Sequence, residues 1–297
     1  MIDLGWKYEC VTRHCGFWVM DSWRLEQALA ILRAGRDLPR ASMEKHQELL
    51  AVAPGKPYQI AGQGIAVIPI MGPLVKGGGK NGEVDSVAIR RQLQAAVQDK
   101  EIGGIMLVID SPGGTVAGTD ELARDVLAAN AIKPVAAHIE DLGASAAYWI
   151  ASQAGTLTAN HTAEVGSIGT MAVVEDTSGL AKAEGIVVHV VSTGAYKGAF
   201  VPGTEITTEH IAYLQEQANA LNAHFMTAVV KGRKVGFKKV ESWADGRAWI
   251  ASTALEMGLI DGVTRLEDAM IKLQKSVPKR SMKSQIIRAD IEMSSIE

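Results

Sequence analysis

Cysteine is nearly absent from this 297-residue chain, which has only Cys10 and Cys15, both near the N-terminus. Two thiols cannot build a disulfide framework. Cys10, His14 and Cys15 also match no zinc-binding spacing, so reduced thiols without a metal are expected. Net charge is scarce as well. Thirty basic residues against 33 acidic ones leave a formal charge of −3, which argues against a dominant nucleic-acid surface. Long apolar runs are missing too. The strongest early run, 65–71, contains Pro69 and falls far short of the roughly 20 residues that a bilayer requires. Asp3, Lys7 and Glu9 interrupt the N-terminus where a secretory signal would be apolar. The expectation is a cytoplasmic protein with no membrane or nucleic-acid partner. What is present is ordinary for a globular protein: 47% hydrophobic and 21% charged residues, in a chain long enough to bury a sizeable core.

Residues 1–60 read as a helical lead segment and linker. Trp23, Leu25, Ala28, Ile31 and Leu32 recur at helical spacing behind Asp21 and Ser22 as caps, and Pro54, Gly55 and Pro57 break the pattern. From Gly64 strands and helices alternate. Strands are predicted at 65–70, 105–109, 135–139, 157–159, 170–174 and 186–191. Helices are predicted at 84–97, 117–129, from 145 onward, along 211–229 and at 266–273. This alternation predicts an α/β domain over 61–265, with a mainly parallel sheet covered on both faces. The stripe Ile211, Leu214, Ala218, Leu221, Phe225 and Val229 marks the longest helix, with Gly232 expected to close it. Residues 266–297 add a last helix and a basic tail, read as solvated. The glycine-rich run 76–82 lacks the spacing of a phosphate-binding loop.

Two stretches carry the chemistry. Asp110-Ser111-Pro112-Gly113-Gly114 leaves an apolar strand and breaks into a turn. Gly143-Ala144-Ser145-Ala146-Ala147 sets one serine among small residues at a helix start. Adjacent glycines let a backbone approach closely and offer N–H groups to an oxyanion, although glycine pairs also make ordinary turns. Ser145 is a candidate nucleophile if a base takes its proton, and a plain helix cap otherwise. His138, His189, His210 and His224 lie in predicted strands or on the long helix and read as structural. Lys197 sits in a nearly uncharged loop, Ser192 to Phe200. To serve as a base its pKa must fall from about 10.4 toward roughly 7–8, about 4 kcal/mol, and desolvation is the available source. The alternative is an exposed loop lysine.

From Gly64 to Val263 the chain resembles the signal peptide peptidase A family of serine peptidases. The resemblance rests on ordered blocks: Asp110 to Gly114, Ala144 to Tyr148, Gly166-Ser167-Ile168-Gly169, Ser192 to Lys197, and Ala244-Asp245-Gly246-Arg247 with Gly258 to Asp261. It implies a Clp-protease-like, crotonase-type fold and a Ser–Lys dyad without cofactor. Ser145 would be the nucleophile and Lys197 the general base. Ser167 would orient the lysine, and Gly113, Gly114 and Ala146 would form the oxyanion region. Ala146-Ala147 departs from the two glycines frequent in the family. The resemblance also implies homo-oligomers in which Ser and Lys come from neighbouring subunits.

The lead segment is most similar to the bacteriophage branch, the lambdoid minor capsid protein C peptidases, which cut scaffold or capsid proteins within the assembling head. The expected activity is ATP-independent endopeptidase cleavage of a peptide or protein substrate. Extended substrate is expected to add as a strand beside Thr115 and Val116 and beside Thr170 and Met171. Three alternatives stand beside it: a non-catalytic scaffolding protein, a bacterial peptidase that degrades signal peptides, and acyl-CoA chemistry using Glu140 and Asp141 near the hole.

Overall fold

The apolar runs that lack clean alternation become the centre of a sheet, because strands covered on both faces need apolar residues at every position. The computed structural model describes residues 18–20, 51–52, 55–62, 64–78 and 83–277. The helix predicted over 23–32, the two cysteines and the basic tail beyond 277 lie outside the described residues. In chain order the elements are β1 (Trp18–Met20), β2 (Ala51–Val52), β3 (Gln59–Ala61), β4 (Ile65–Met71), β5 (Leu74–Val75), β6 (Val84–Asp85) and α1 (Ser86–Gln98). Next come β7 (Gly104–Ser111), β8 (Gly113–Thr115), α2 (Thr119–Asn130), β9 (Val135–Ala144), α3 (Ala146–Ala151), β10 (Thr156–Ala159), β11 (Glu164–Gly166) and α4 (Ser178–Ala183). The series closes with α5 (Thr208–Arg233), α6 (Phe237–Glu241), β12 (Ala248–Ile250), α7 (Ala251–Met257), β13 (Gly262–Val263) and α8 (Leu266–Ser276).

The main sheet runs β12-β11-β9-β7-β4-β3-β2, with β10 and β13 paired alongside β9. Its centre is parallel: β4 with β7, β7 with β9, and β9 with both β10 and β11. The long β9 serves two neighbours in turn. Residues 136–139 pair with β10 and residues 142–144 with β11. The α/β expectation, with a parallel-rich sheet, therefore stands.

Side chains of the central strands divide between two cores. Ile68, Ile70, Ile105, Leu107, Ile109, Ala137 and Ile139 join α1, α2 and α3 on one face. Ile65, Val67, Met106, Val108 and Ala136 meet Leu266, Ala269 and Leu273 of α8 on the other. The last helix is thus a packed layer over the sheet.

Two predicted strands do not form. Residues 170–174 contain only an isolated bridge at Met171, and residues 186–191 are irregular. Among the described residues neither run joins a sheet, and backbone groups outside a ladder gain none of its support. The region between them is a closed excursion. Asp176 accepts from the Ile206 amide at 3.0 Å, and Thr177 Oγ1 accepts from the Gly203 amide at 2.7 Å.

Candidate active site

β7, β9 and β11 end side by side, and the chain just past each end carries one of the motifs. Ser111 pairs with Gly143, and Gly166 pairs with Ala144. Ser145 and Ser167 therefore follow directly from a matched pair on neighbouring parallel strands, while Gly113 and Gly114 lie just beyond Ser111. Such carboxyl ends are where open α/β sheets place their ligands.

Ser145 is buried and takes φ 56°, ψ −117°, a conformation that L residues rarely adopt. Holding it there costs roughly 1–3 kcal/mol, so the surroundings must over-determine it. Two main-chain bonds do so. The Ser145 amide donates to the Gly166 carbonyl at 2.7 Å, and its carbonyl accepts from the Trp149 amide at 2.8 Å. Ser145 stands at the cap position of α3, yet its side chain makes no capping hydrogen bond. The plain-cap alternative is thereby removed. No capping bond engages the hydroxyl, which precedes Ala146 and Ala147, whose amides begin a helix and have no intrahelical acceptor.

Ser167 repeats the pattern with φ 51° after Gly166 at φ 117°. Its amide donates to the Arg247 carbonyl at 2.8 Å, and the Gly246 amide donates to the Ile168 carbonyl at 3.2 Å. The Ala244-Asp245-Gly246-Arg247 block, which the resemblance covers, thus backs Ser167 from the antiparallel β12. Arg247 in turn lies 4.3 Å over the Trp249 ring.

The glycine turn has its own pins. Ser111 Oγ donates to the Gly72 carbonyl at 2.7 Å and accepts from the Gly113 amide at 3.2 Å. Gly113 has φ 97°. A Cβ on Gly114 would lie 1.8 Å from the Leu74 carbonyl oxygen, so the approach of β5 demands glycine there. The sequence offers either an oxyanion role or an ordinary turn for this pair; the packing requirement and the role of Ser111 appear only in three dimensions. Close by, Thr115 Oγ1 donates to the Ala117 carbonyl at 3.0 Å, and Val116 is half-buried. Thr170 Oγ1 is buried without a hydrogen-bond partner among the described residues.

α3 is held as firmly as its first residue. Tyr148 OH donates to the Leu259 carbonyl at 2.9 Å, and burial pushes its phenol well above the ordinary range. Trp149 stacks on Phe225 of α5 at 4.7 Å and 5°. Gln153 Nε2 donates to the Ala228 carbonyl at 3.0 Å. Gly232 does not end α5 as expected. It lies inside the helix, where a Cβ would come within 2.1 Å of the Ser152 carbonyl oxygen, and α5 closes at Lys234 in the left-handed region.

Lys197 is elsewhere. It is exposed on a turn that Tyr196 and Phe200 dock against the start of α5, with Tyr196 5.3 Å from Tyr213 and Phe200 5.6 Å from His210. From His210 to Phe225, the partner of Trp149, α5 advances about 22 Å along its axis. The structure therefore gathers Ser145, Ser167, Gly113, Gly114 and Ala146, while Lys197 stays on the excursion. Among the described residues nothing forms the desolvated surround expected for that lysine.

The remaining polar groups are structural. His138 is buried, with Nδ1 2.9 Å from Thr158 Oγ1 and Nε2 3.2 Å from Asn160 Oδ1. Glu140 Oε1 lies 3.4 Å from His138 Nε2, and Asp141 is exposed. Among the described residues no cluster suits a metal ion, and no helix is long and apolar enough to cross a membrane.

Comparison with known proteins finds one family match and several relatives. The profile of Peptidase family S49 matches residues 128–279. "Putative protease MJ0651" of Methanocaldococcus jannaschii is 34% identical over 178 residues, 60% of this chain and 57% of that protein. "Putative signal peptide peptidase SppA" of Enterococcus faecium is 29% identical, over 62% of this chain and 54% of its own length. "Capsid assembly protease C" of Escherichia phage lambda is 27% identical, over 75% and 51%. The chain thus spans little more than half the length of these relatives.

Proposed function

The chain belongs to peptidase family S49, and from that premise we propose that it is an ATP-independent serine endopeptidase with a Ser145–Lys197 dyad. Lys197, as the neutral amine, takes the Ser145 hydroxyl proton while Oγ attacks the peptide carbonyl carbon. The Gly113–Gly114 turn and the Ala146 amide form the oxyanion region, with the Gly113 amide leaving Ser111 Oγ where it serves as a donor. The C–N bond then breaks as the lysine returns its proton to the departing amine, leaving an ester on Ser145 that water hydrolyses. Ser167 orients the lysine. The reading carries with it a Clp-protease-like fold.

The observation that carries this proposal is the matched pair of strained serines at the ends of β9 and β11. Strain of this kind on two neighbouring strands supports a site built for reaction. The distance of Lys197 along α5 supports a dyad shared between subunits, with the exposed excursion of one copy delivering its lysine to the serine of the next. The similarity to a phage capsid assembly protease supports capsid or scaffold proteins as substrates. A fluorophosphonate probe tests the nucleophile. Assembled protein is expected to label at Ser145 and to lose labelling in Ser145→Ala. Absence of labelling would favour a non-catalytic assembly role instead, a reading to which the lone Ser145 of a single chain lends some support.

A further inference from the structure

β8, the three-residue strand Gly113–Thr115, has two edges. One pairs with β5 at Leu74. The other is taken by β1 of the lead segment, antiparallel, with Trp18 opposite Thr115, Val19 opposite Gly114 and Met20 opposite Gly113. The chain thus lays an extended stretch of itself along the two glycines proposed to hold the oxyanion. We infer that Trp18–Met20 is an internal occupant of the peptide-binding edge, and that substrate, an extended peptide recognised through its backbone, must displace it. This rests on the peptidase reading above for the identity of the edge.

Three observations carry the inference beyond a coincidence of pairing. A Gly-Gly strand offers only main chain, so whatever lies on it is recognised chiefly by its backbone, as in strand addition of a peptide. The register brings the peptide unit between Val19 and Met20 past Gly113 and Gly114, the course a bound substrate would follow. Among the described residues β1 pairs with no strand other than β8. A pairing three residues long is marginal alone. As part of the same chain, however, it competes as an intramolecular ligand and not through its own affinity alone. The segment is therefore strong enough to occupy the edge and weak enough to leave it.

The test uses the full chain in the non-cleaving Ser145→Ala background, with a fluorescein-labelled peptide of the sequence 16–22 as the probe. Replacing Trp18→Gly, Val19→Pro and Met20→Gly together removes both strand propensity and one donor. Peptide affinity, read by anisotropy, is expected to rise about tenfold, since an occupied site lowers apparent affinity by the fraction of free sites. Hydrogen exchange at Gly114 and Thr115 is expected to quicken in the triple variant and to slow again when peptide is added. Equal affinity in the two proteins, or exchange unchanged by the substitutions, overturns the inference. Both readouts are independent of hydrolysis. Peptide binding with the expected difference, alongside an otherwise wild-type chain that never cleaves, would uphold the occupant and overturn the peptidase reading.

Discussion

Two apolar runs of similar composition meet opposite fates in this molecule. Ile105-Met106-Leu107-Val108-Ile109 lies in β7 with strands on both sides and is almost wholly buried. Ile186-Val187-Val188-His189-Val190-Val191 joins no strand among the described residues, and Val187 and Val191 are 75% and 98% exposed. Local sequence is equally suited to a strand in both. The difference is the availability of neighbours, since β propensity expresses packing against partners more than any backbone preference. The same contrast separates the proposed dyad. Ser145 stands in the region that one chain completes, and Lys197 on the excursion that one chain leaves bare.

The comparison can be broken in several ways. Ser145→Ala and Lys197→Ala are each expected to lower peptide cleavage by about 10⁴-fold or more while leaving the chain folded. A steady-state assay with circular dichroism checks both. Next in size, Phe225→Ala removes the ring stacked on Trp149 and should cost about 3–5 kcal/mol in denaturant unfolding. Loss of activity should accompany it, because α3 follows directly on Ser145, the proposed nucleophile. A loss near 1 kcal/mol would mean that α5 does not anchor the site. On the bare excursion, Val187→Asp and Val191→Asp should each change the stability of the chain by less than about 0.5 kcal/mol, as surface substitutions do. Both should nonetheless abolish assembly, read by sedimentation, and with it activity.

The smallest expected effect concerns pH. Asp261 is pushed up by partial burial, but hydrogen bonds from Arg233, 2.6 and 3.1 Å, and from the Leu157 amide, 2.7 Å, outweigh this and hold its carboxyl below the usual range. A carboxyl lowered on folding contributes stability above its unfolded value near 3.9 and loses it as pH falls toward the folded value. Asp261→Asn should therefore destabilise the protein at pH 7 and matter less at pH 3. Unfolding midpoints at the two values check this.

Much of the fold was legible because periodicity reports burial. The central strands and the helices α1, α2, α5 and α8 were all expected within a few residues of their observed bounds. β11 and β12 were not, since three-residue strands give too short a pattern to read. Gly232 was misread as a stop because a helix-ending glycine and a glycine at a close helix contact look alike in sequence; only the Ser152 carbonyl distinguishes them. At the site, the glycine turn and the Ser145 motif were visible as patterns of small residues. The strain at Ser145 and Ser167 was not, because it follows from the register between β9 and β11. The exposure of Lys197 stood as an open alternative for a related reason. A loop of small and aromatic residues predicts a dry environment without saying which chain supplies it.

The central claim is that one copy's excursion serves another copy's serine, and mixing two inactive proteins tests it most directly. Ser145→Ala and Lys197→Ala chains, co-assembled in equal amounts, should recover about a quarter of wild-type activity, the statistical share of head-to-tail contacts joining an intact serine to an intact lysine. Co-assembled mixtures that remain as inactive as either variant alone would contradict it.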